Sequence, residues 1–139
     1  MSINESMIEF RVRYSETDQM GTFYNSRPLE WFECGRTELM RSLGLPYAEM
    51  EIRGVMLPVV EAHVEYHGRA RYDDLLRMTS RGALVGKARL RVDCEIVHAA
   101  TGAPVTQGYT IHAITGADGK PIRPPKWLVE LFVNKQEIP

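Results

Sequence analysis

The sequence predicts an α+β fold in which one long helix covers a single antiparallel sheet. Three observations lead to this class: a strand pattern opens the chain, one strong helical pattern follows, and four strand patterns with short connections come after it. Consecutive strands joined by short turns are antiparallel, and one helix can cover one face of a curved sheet. The 139 residues are enough for one domain. We therefore predict a single domain over 1–139, with about six residues frayed at each end.

The opening strand is predicted from Met7 to Tyr14, where apolar and polar residues alternate with the period of a half-buried strand. The polar segment that follows, Ser15–Gly21, ends in glycine and is typical of a turn or an irregular loop.

The helix is the strongest prediction in the sequence. Asn25 and Ser26 are good N-caps, and Pro28 falls in the first turn, where its missing N–H costs little. Apolar residues then recur at helical spacing until Gly44, which predicts a helix of about 17 residues. Pro46 to Arg53 is predicted as a short second helix.

The remaining chain has the period of strands. Four alternating segments are predicted as strands: Val60–Tyr66, Leu75–Val85, Ala88–Ile96 and Val105–Thr115. In the last of these, Tyr109, Ile111 and Ala113 share one side. Two prolines then introduce a short terminal helix from Lys126 to Phe132.

Composition excludes several classes of protein. Lys and Arg total 17 and Asp and Glu total 18, a net charge of −1 that disfavours a nucleic-acid partner. No apolar run approaches the roughly 18 residues that a membrane helix needs, and no secretory signal is visible. We expect a cytoplasmic protein in which Cys34 and Cys94 are reduced core thiols.

Asp18 is the first candidate for chemistry, because it lies between the opening strand and the helix. A helix N-terminus presents unpaired N–H groups and partial positive charge, which stabilise an oxyanion. An Asp just upstream could attack a carbonyl or act as a general base. The structural alternative is a turn residue that binds its own backbone.

A family resemblance rests on three stretches of the sequence. Val12–Gly21 leads through Phe23 and Tyr24 to Leu29–Glu33, and similar stretches follow at Gly54–Val60 and Ala70–Asp74. Together they resemble the 4-hydroxybenzoyl-CoA thioesterase family of hotdog-fold proteins, most closely its acyl-CoA thioesterase branch. The likeness spans about residues 7 to 125 and agrees with the order of elements predicted above.

This resemblance implies a long central helix wrapped by a curved antiparallel sheet, and hydrolysis of acyl-CoA thioesters. It implies that Asp18 is catalytic, as nucleophile or as general base, and that a backbone N–H near Asn25 polarises the thioester carbonyl. Coenzyme A enters as part of the substrate, so we expect no separate cofactor. Family members form homodimers or homotetramers, and sheet edges that need cover agree with sites at subunit interfaces.

The resemblance also places further residues at the substrate: Tyr24, Asn25, Glu33, Leu57, Pro58 and Val59. Many relatives continue Tyr-His-Xaa-Asn-Tyr where this chain has Tyr24-Asn25-Ser26-Arg27-Pro28, so an acid or base role for that histidine is absent. Asn25 is either a substrate contact or a plain helix cap. Glu33 either positions water or holds a loop through a buried charge pair, and Glu16 is expected to be solvated.

Basic side chains are needed for the phosphates of coenzyme A. The candidates, each of which could instead belong to a solvated strand face, are Arg69, Arg71, Lys87 and Arg89. His63 and His67 share a strand face with Glu61 and Glu65, but an exposed or interface face explains them as well as a metal does. We expect no metal site.

Two other functions remain open at this stage. One is a non-catalytic module that binds acyl thioesters of coenzyme A or of acyl-carrier protein. The other is a hydratase or dehydratase acting on enoyl thioesters, a chemistry that commonly uses an Asp/His pair. Here only His63 could supply that histidine.

Overall fold

The computed structural model describes residues 4–132. These residues form five strands and three helices, together with a 3-10 turn at Tyr14–Glu16. The strands are β1 (Glu5–Arg11), β2 (Val59–Tyr66), β3 (Leu75–Val85), β4 (Arg89–His98) and β5 (Pro104–Ala113). The helices are α1 (Arg27–Ser42), α2 (Tyr47–Ile52) and α3 (Lys126–Phe132). None of these helices is long and apolar enough to cross a membrane.

The strands form one sheet in the order β1-β3-β4-β5-β2, and every neighbouring pair is antiparallel. The predicted antiparallel sheet is therefore confirmed. The sequence places α1 between β1 and β2, the two strands that end up at opposite edges. The helix has 16 residues and packs mainly on β1 and β3.

The opening strand is shifted relative to the prediction, since β1 runs from Glu5 to Arg11. It stops early because the chain turns into the 3-10 segment soon after Val12, whose N–H still donates to the Asp74 carbonyl at 3.0 Å. The start at Glu5 also shows that the prediction of frayed residues was wrong for 5 and 6. The rest of that prediction concerns 1–4 and 134–139, of which 1–3 and 134–139 lie outside the described residues.

The core lies between the helices and one face of the sheet. α1 contributes Phe32, Leu39 and Met40, all fully buried. The sheet contributes buried apolar side chains from β3, β4 and β5, and α3 adds two more; these are Leu76, Met78, Leu90, Val92, Cys94, Ile96, Val105, Leu128 and Phe132. Cys34 was wrongly predicted as core: it is exposed, because it is out of phase with Phe32, Gly35 and Leu39 around the helix.

The buried side of β5 is opposite to the side on which its apolar residues Tyr109, Ile111 and Ala113 lie. Thr106, Thr110 and His112 are buried, whereas Tyr109 and Ile111 are only half-buried. This side of β5 carries polar groups that need hydrogen-bond partners inside the fold.

A glycine on β5 allows the helix and the edge strand to approach closely. A Cβ on Gly108 would overlap the backbone carbonyl of His63 and would lie 3.0 Å from a ring carbon of Phe32. Gly108 pairs with Val64 of β2 on one side and Cys94 of β4 on the other. The position therefore tolerates no side chain without displacement of β2 or α1.

Gly108→Ala should destabilise the protein by about 3 kcal/mol, because overpacking forces the backbone to shift. Gln107→Ala is the matched control, since Gln107 is exposed on the same strand and its loss should change stability by less than about 0.5 kcal/mol. Urea unfolding of both variants measures the difference. Equal stability of the two would contradict the close approach.

Candidate active site

Asp18 lies half-buried in a tight loop ahead of α1. Its N–H donates to the Thr22 carbonyl at 2.9 Å, and its own carbonyl accepts from the Gly21 N–H at 3.0 Å. Its Oδ1 accepts from the Met20 N–H at 2.9 Å. The turn role foreseen for Asp18 is therefore present. It occupies Oδ1 with one donor and sets the orientation of the carboxylate.

The loop is attached at both ends to the rest of the fold. The Phe23 N–H donates to the Ala70 carbonyl at 3.0 Å, and the Tyr24 N–H donates to the Glu16 carbonyl at 2.7 Å. Thr17 and Phe23 also form an antiparallel bridge. These bonds make the segment a small closed hairpin whose tip carries Asp18.

A buried carboxylate lies beneath this hairpin. Glu16, expected to be solvated, is only 4% exposed. Its carboxylate accepts from the Arg13 N–H at 2.7 Å, from the Trp31 indole N–H at 2.8 Å and from the Arg13 guanidinium at 3.3 Å. The sequence-based expectation was wrong because Trp31, a helix residue fifteen positions away in the chain, supplies a donor that no local pattern reveals.

Burial by itself raises the pKa of Glu16, but its hydrogen-bond donors reverse this. The Arg13 N–H, the Trp31 indole and the Arg13 guanidinium all favour the charged form, and the net pKa lies below its ordinary value. Glu16 is thus an ionised group that links the loop to α1.

The start of α1 presents donors next to this loop. The Arg27 N–H donates to the Tyr24 carbonyl at 3.0 Å, and Pro28 occupies the first turn as predicted. Ser26 is the N-cap residue of α1, and its side chain makes no capping hydrogen bond with the residues that the structure describes. The Tyr66 hydroxyl donates to the Asn25 carbonyl. Among residues 4–132 the Asn25 N–H has no acceptor, so it remains available at the positive end of the helix dipole.

A surface cavity of about 620 Å³ opens beside Asp18. It is lined by Tyr14, Thr17, Asp18, Gln19, Gly21, Arg71 and Tyr72. Tyr14 and Tyr72 meet edge to face with ring centroids 5.6 Å apart. Of the four cations predicted at coenzyme A phosphates, Arg71 lines this cavity. The sequence did not single out the two tyrosines, which come from segments far apart in the chain.

The other predicted site residues do not line this cavity. Leu57 and Pro58 line a second cavity of about 360 Å³ together with Tyr47 and Val55. Lys87 lines a third cavity, next to Arg123. The remaining predicted residues are exposed on the surface: Tyr24, Asn25, Glu33, Val59, Arg69 and Arg89.

Glu33 does not form the buried charge pair that was one of its two expected roles. Its side chain is exposed on α1, and no cation within residues 4–132 forms an ion pair with it. The aromatic residues around the helix start divide into two groups. Phe23, Trp31 and Phe32 are core, whereas Met20 and Tyr24 are 67% and 50% exposed.

The histidines have separate environments. His63 stacks on Tyr109 with ring centroids 5.3 Å apart, and its Nε2 lies 3.2 Å from Glu65. His112 is buried and was not singled out from the sequence. Within residues 4–132, no group of three or more His, Cys, Asp or Glu side chains is arranged to hold a metal ion.

Comparison with known proteins shows which family the sequence matches. The sequence model of the Thioesterase-like superfamily matches residues 12–132. The chain is 46% identical over 66 residues to the putative acyl-CoA thioesterase YneP of Bacillus subtilis, a match that spans 48% of each chain. It is 33% identical over 125 residues to a putative esterase of Synechocystis, covering 88% of this chain and 75% of that protein.

Solved structures agree on the fold. A variant of 4-hydroxybenzoyl-CoA thioesterase in complex with 4-hydroxybenzoyl-CoA superposes with a TM-score of 0.82 at 18% identity. The match covers 92% of this chain and 98% of that one. This likeness confirms the hotdog fold, and the sequence model that matches residues 12–132 confirms the family resemblance stated from the sequence.

Glu16→Gln should lower the free energy of unfolding by about 2 kcal/mol at pH 7, because the amide NH₂ would face a buried donor. The folded-state pKa of Glu16 is depressed, so its stabilising effect is complete above the ordinary glutamate pKa of about 4.3 and is lost as the pH falls through the folded value. The difference in free energy of unfolding between wild type and Glu16→Gln should therefore become smaller as the pH falls.

Thermal unfolding at several pH values measures this difference. Glu38→Gln is the control, since it removes only an exposed pair with Arg41, worth less than about 1 kcal/mol. A Glu16→Gln variant as stable as the control at pH 7 would show that the buried carboxylate does not hold the loop.

Proposed function

The chain belongs to the Thioesterase-like superfamily, and we propose that it hydrolyses acyl-CoA thioesters to the free acid and coenzyme A. The observation that carries the proposal is a carboxylate with a fixed orientation, Asp18, beside a helix start whose Asn25 N–H is unpaired among the described residues. The matches to YneP and to the Synechocystis esterase support the same reaction class. The match spans only about half of YneP, so activity and substrate rest on the local geometry.

In the proposed reaction the thioester carbonyl oxygen binds at the Asn25 N–H. Asp18 takes a proton from the attacking water, and the tetrahedral oxyanion that forms is stabilised by this N–H and the helix dipole. Collapse breaks the C–S bond and coenzyme A leaves as the thiol, with the proton that Asp18 took. In the alternative route Asp18 itself attacks, and water then hydrolyses the mixed anhydride.

The Asn25 side chain cannot exchange a proton near neutral pH, so Asp18 carries the proton transfer without a neighbouring histidine. Tyr24, beside it, is half exposed and available to the substrate. Glu33, exposed further along α1, is the remaining group that could orient water. No cofactor is required for this reaction, because coenzyme A is part of the substrate.

We propose that two copies of the chain complete each site. β2 is an edge strand, and Val59, Val60 and Tyr66 on it are about half exposed, at 48%, 50% and 52%. An uncovered edge with apolar side chains favours pairing with another strand. Within one chain Leu57 and Pro58 line a different cavity from Asp18. A partner's β2 beside the first would bring these residues to the thioester, in a homodimer or homotetramer with the site at the interface.

The phosphates of coenzyme A are assigned to basic side chains near the cavity mouth. Arg71 lines the cavity that contains Asp18, which makes it the first choice. Arg69 is exposed two residues away in the chain. Lys87 lines the separate cavity that contains Arg123, and Arg89 is the first residue of β4. The two free thiols agree with the cytoplasm as the compartment.

Asp18→Asn should lower kcat by at least about 100-fold across a panel of acyl-CoAs, because the amide can neither take a proton nor attack. Thiol release with a disulfide reagent measures the rate. Asp118→Asn is a matched control, because Asp118 Oδ1 accepts from the N–H two residues on at 3.0 Å, as in the Asp18 turn. Asn supports either turn, so full activity in Asp18→Asn would refute the mechanism. Tight coenzyme A binding without turnover by the wild type would favour the binding module.

Val60→Lys should shift the assembly toward monomers, because a lysine on an edge strand opposes strand pairing. Light scattering at several concentrations measures the mass. Val85→Lys is the control, since Val85 is 42% exposed at the end of an interior strand. A wild-type protein that is monomeric at tens of micromolar would contradict the shared site.

A further inference from the structure

A buried histidine outside the proposed mechanism lies behind the segment that precedes β2. His112 on β5 is only 1% exposed. Its Nδ1 lies 2.9 Å from the Leu57 carbonyl oxygen, and its Nε2 lies 2.9 Å from the Thr110 hydroxyl. A carbonyl can only accept, so Nδ1 carries the hydrogen, and Nε2 accepts from the Thr110 hydroxyl. Both ring nitrogens are thereby occupied in one neutral tautomer.

The surroundings favour this neutral form. Burial lowers the pKa of His112, and the positive charge of Arg36 lowers it further, while the Leu57 carbonyl acts in the opposite direction. Arg36 on α1 is half-buried. A second positive charge in this place would be costly, so the ring acts as a fixed donor to Leu57.

The Leu57 carbonyl needs this donor because Leu57 lies between two hydrogen-bonded positions of the pairing with β5, so its carbonyl accepts no backbone bond there from residues 4–132. Met56 exchanges two backbone hydrogen bonds with Thr115, at 2.9 and 3.0 Å, and the Pro58 carbonyl accepts from the Ala113 N–H at 3.0 Å. The β2–β5 register then shifts between Val59 and Glu61. Leu57 lies between these anchored points, and a side chain from β5 supplies the bond to its carbonyl.

The Leu57–Pro58 segment, which His112 contacts through the Leu57 carbonyl, forms a wall of the cavity of about 360 Å³ described above. Leu57 and Pro58 line it together with Tyr47 and Glu51 of α2, and Val55 and Thr115 line it as well. Its lining is mostly apolar, and a cavity with this lining suits an aliphatic or aromatic group better than a charged one.

We propose that His112 is a positioning residue for acyl selection: through its bond to the Leu57 carbonyl it fixes the Leu57–Pro58 wall against which the acyl group of the substrate packs. This inference rests on the proposed function, since it concerns the substrate of the same site. His112 touches no reacting atom, so its effect is on which acyl groups are accepted and not on the chemical step.

Two variants separate the two bonds of the ring. In His112→Asn the amide NH₂ takes the place of Nδ1, so the bond to Leu57 is kept and the bond to Thr110 is lost. In His112→Gln the amide reaches the place of Nε2, so the bond to Thr110 is kept and the Leu57 carbonyl loses its donor. Both remove the imidazole and leave a buried polar side chain, which makes them a matched pair.

The experiment measures kcat and KM for acyl-CoAs that differ by one methylene, together with the melting temperature of each variant. One methylene in an apolar pocket changes kcat/KM by about 10–200-fold. We expect His112→Gln to reduce this discrimination by about tenfold, mainly through KM, while His112→Asn keeps the wild-type preference. Amide exchange of residues 55–57, 59 and 60 should be faster in His112→Gln than in His112→Asn.

The outcomes distinguish this inference from the proposed function. Equal acyl preference and equal amide exchange in the two variants would overturn the inference, whatever their melting temperatures. A wild type without hydrolysis of any acyl-CoA would refute the proposed function. The exchange measurement would still decide whether His112 holds the segment.

Discussion

The candidate site depends on the hydrogen bonds of one buried acidic residue, Glu16. Glu16 joins three parts of the chain: its carboxylate binds Arg13, just after the opening strand, and Trp31 of α1, and its backbone carbonyl accepts from the Tyr24 N–H of the hairpin that carries Asp18. A carboxylate with two N–H donors at 2.7 and 2.8 Å is oriented as well as ionised. The position of Asp18 relative to the helix start therefore follows from a residue that takes no part in the proposed chemistry.

The sheet imposes the second constraint. Its order puts β2 at an edge, next to β5 alone, and leaves half-exposed apolar side chains there. The same strand is preceded by the Leu57–Pro58 segment, which His112 holds from inside the fold. One chain thus has a cavity at Asp18 and a separate cavity at Leu57, and the proposed pairing of edges provides a way for one substrate to use both.

Much of the fold could be predicted from local patterns. The bounds of β3 and α3 agree with the prediction residue by residue, because a two-residue period and a proline-marked helix start are signals within single segments. β1 was misplaced because the chain turns into the 3-10 segment at Tyr14–Glu16, where alternation alone still predicts a strand. On β5 alternation alone gave no reason to bury Thr110 and His112. The two side chains bind each other, but the second partner of His112 is the Leu57 carbonyl, 55 residues away in the chain.

In the candidate site too, some features could be predicted from the sequence and others could not. From the sequence alone came the order of elements, the family, the acidic residue ahead of the helix and the substitution of Asn25 for the usual histidine, because all of these are properties of contiguous residues. The tertiary structure alone decided that Glu16 is buried, that Tyr72 and Arg71 stand beside Asp18 and that His112 binds Leu57. Each of these depends on contacts between segments distant in the chain, which hydrophobic periodicity does not encode.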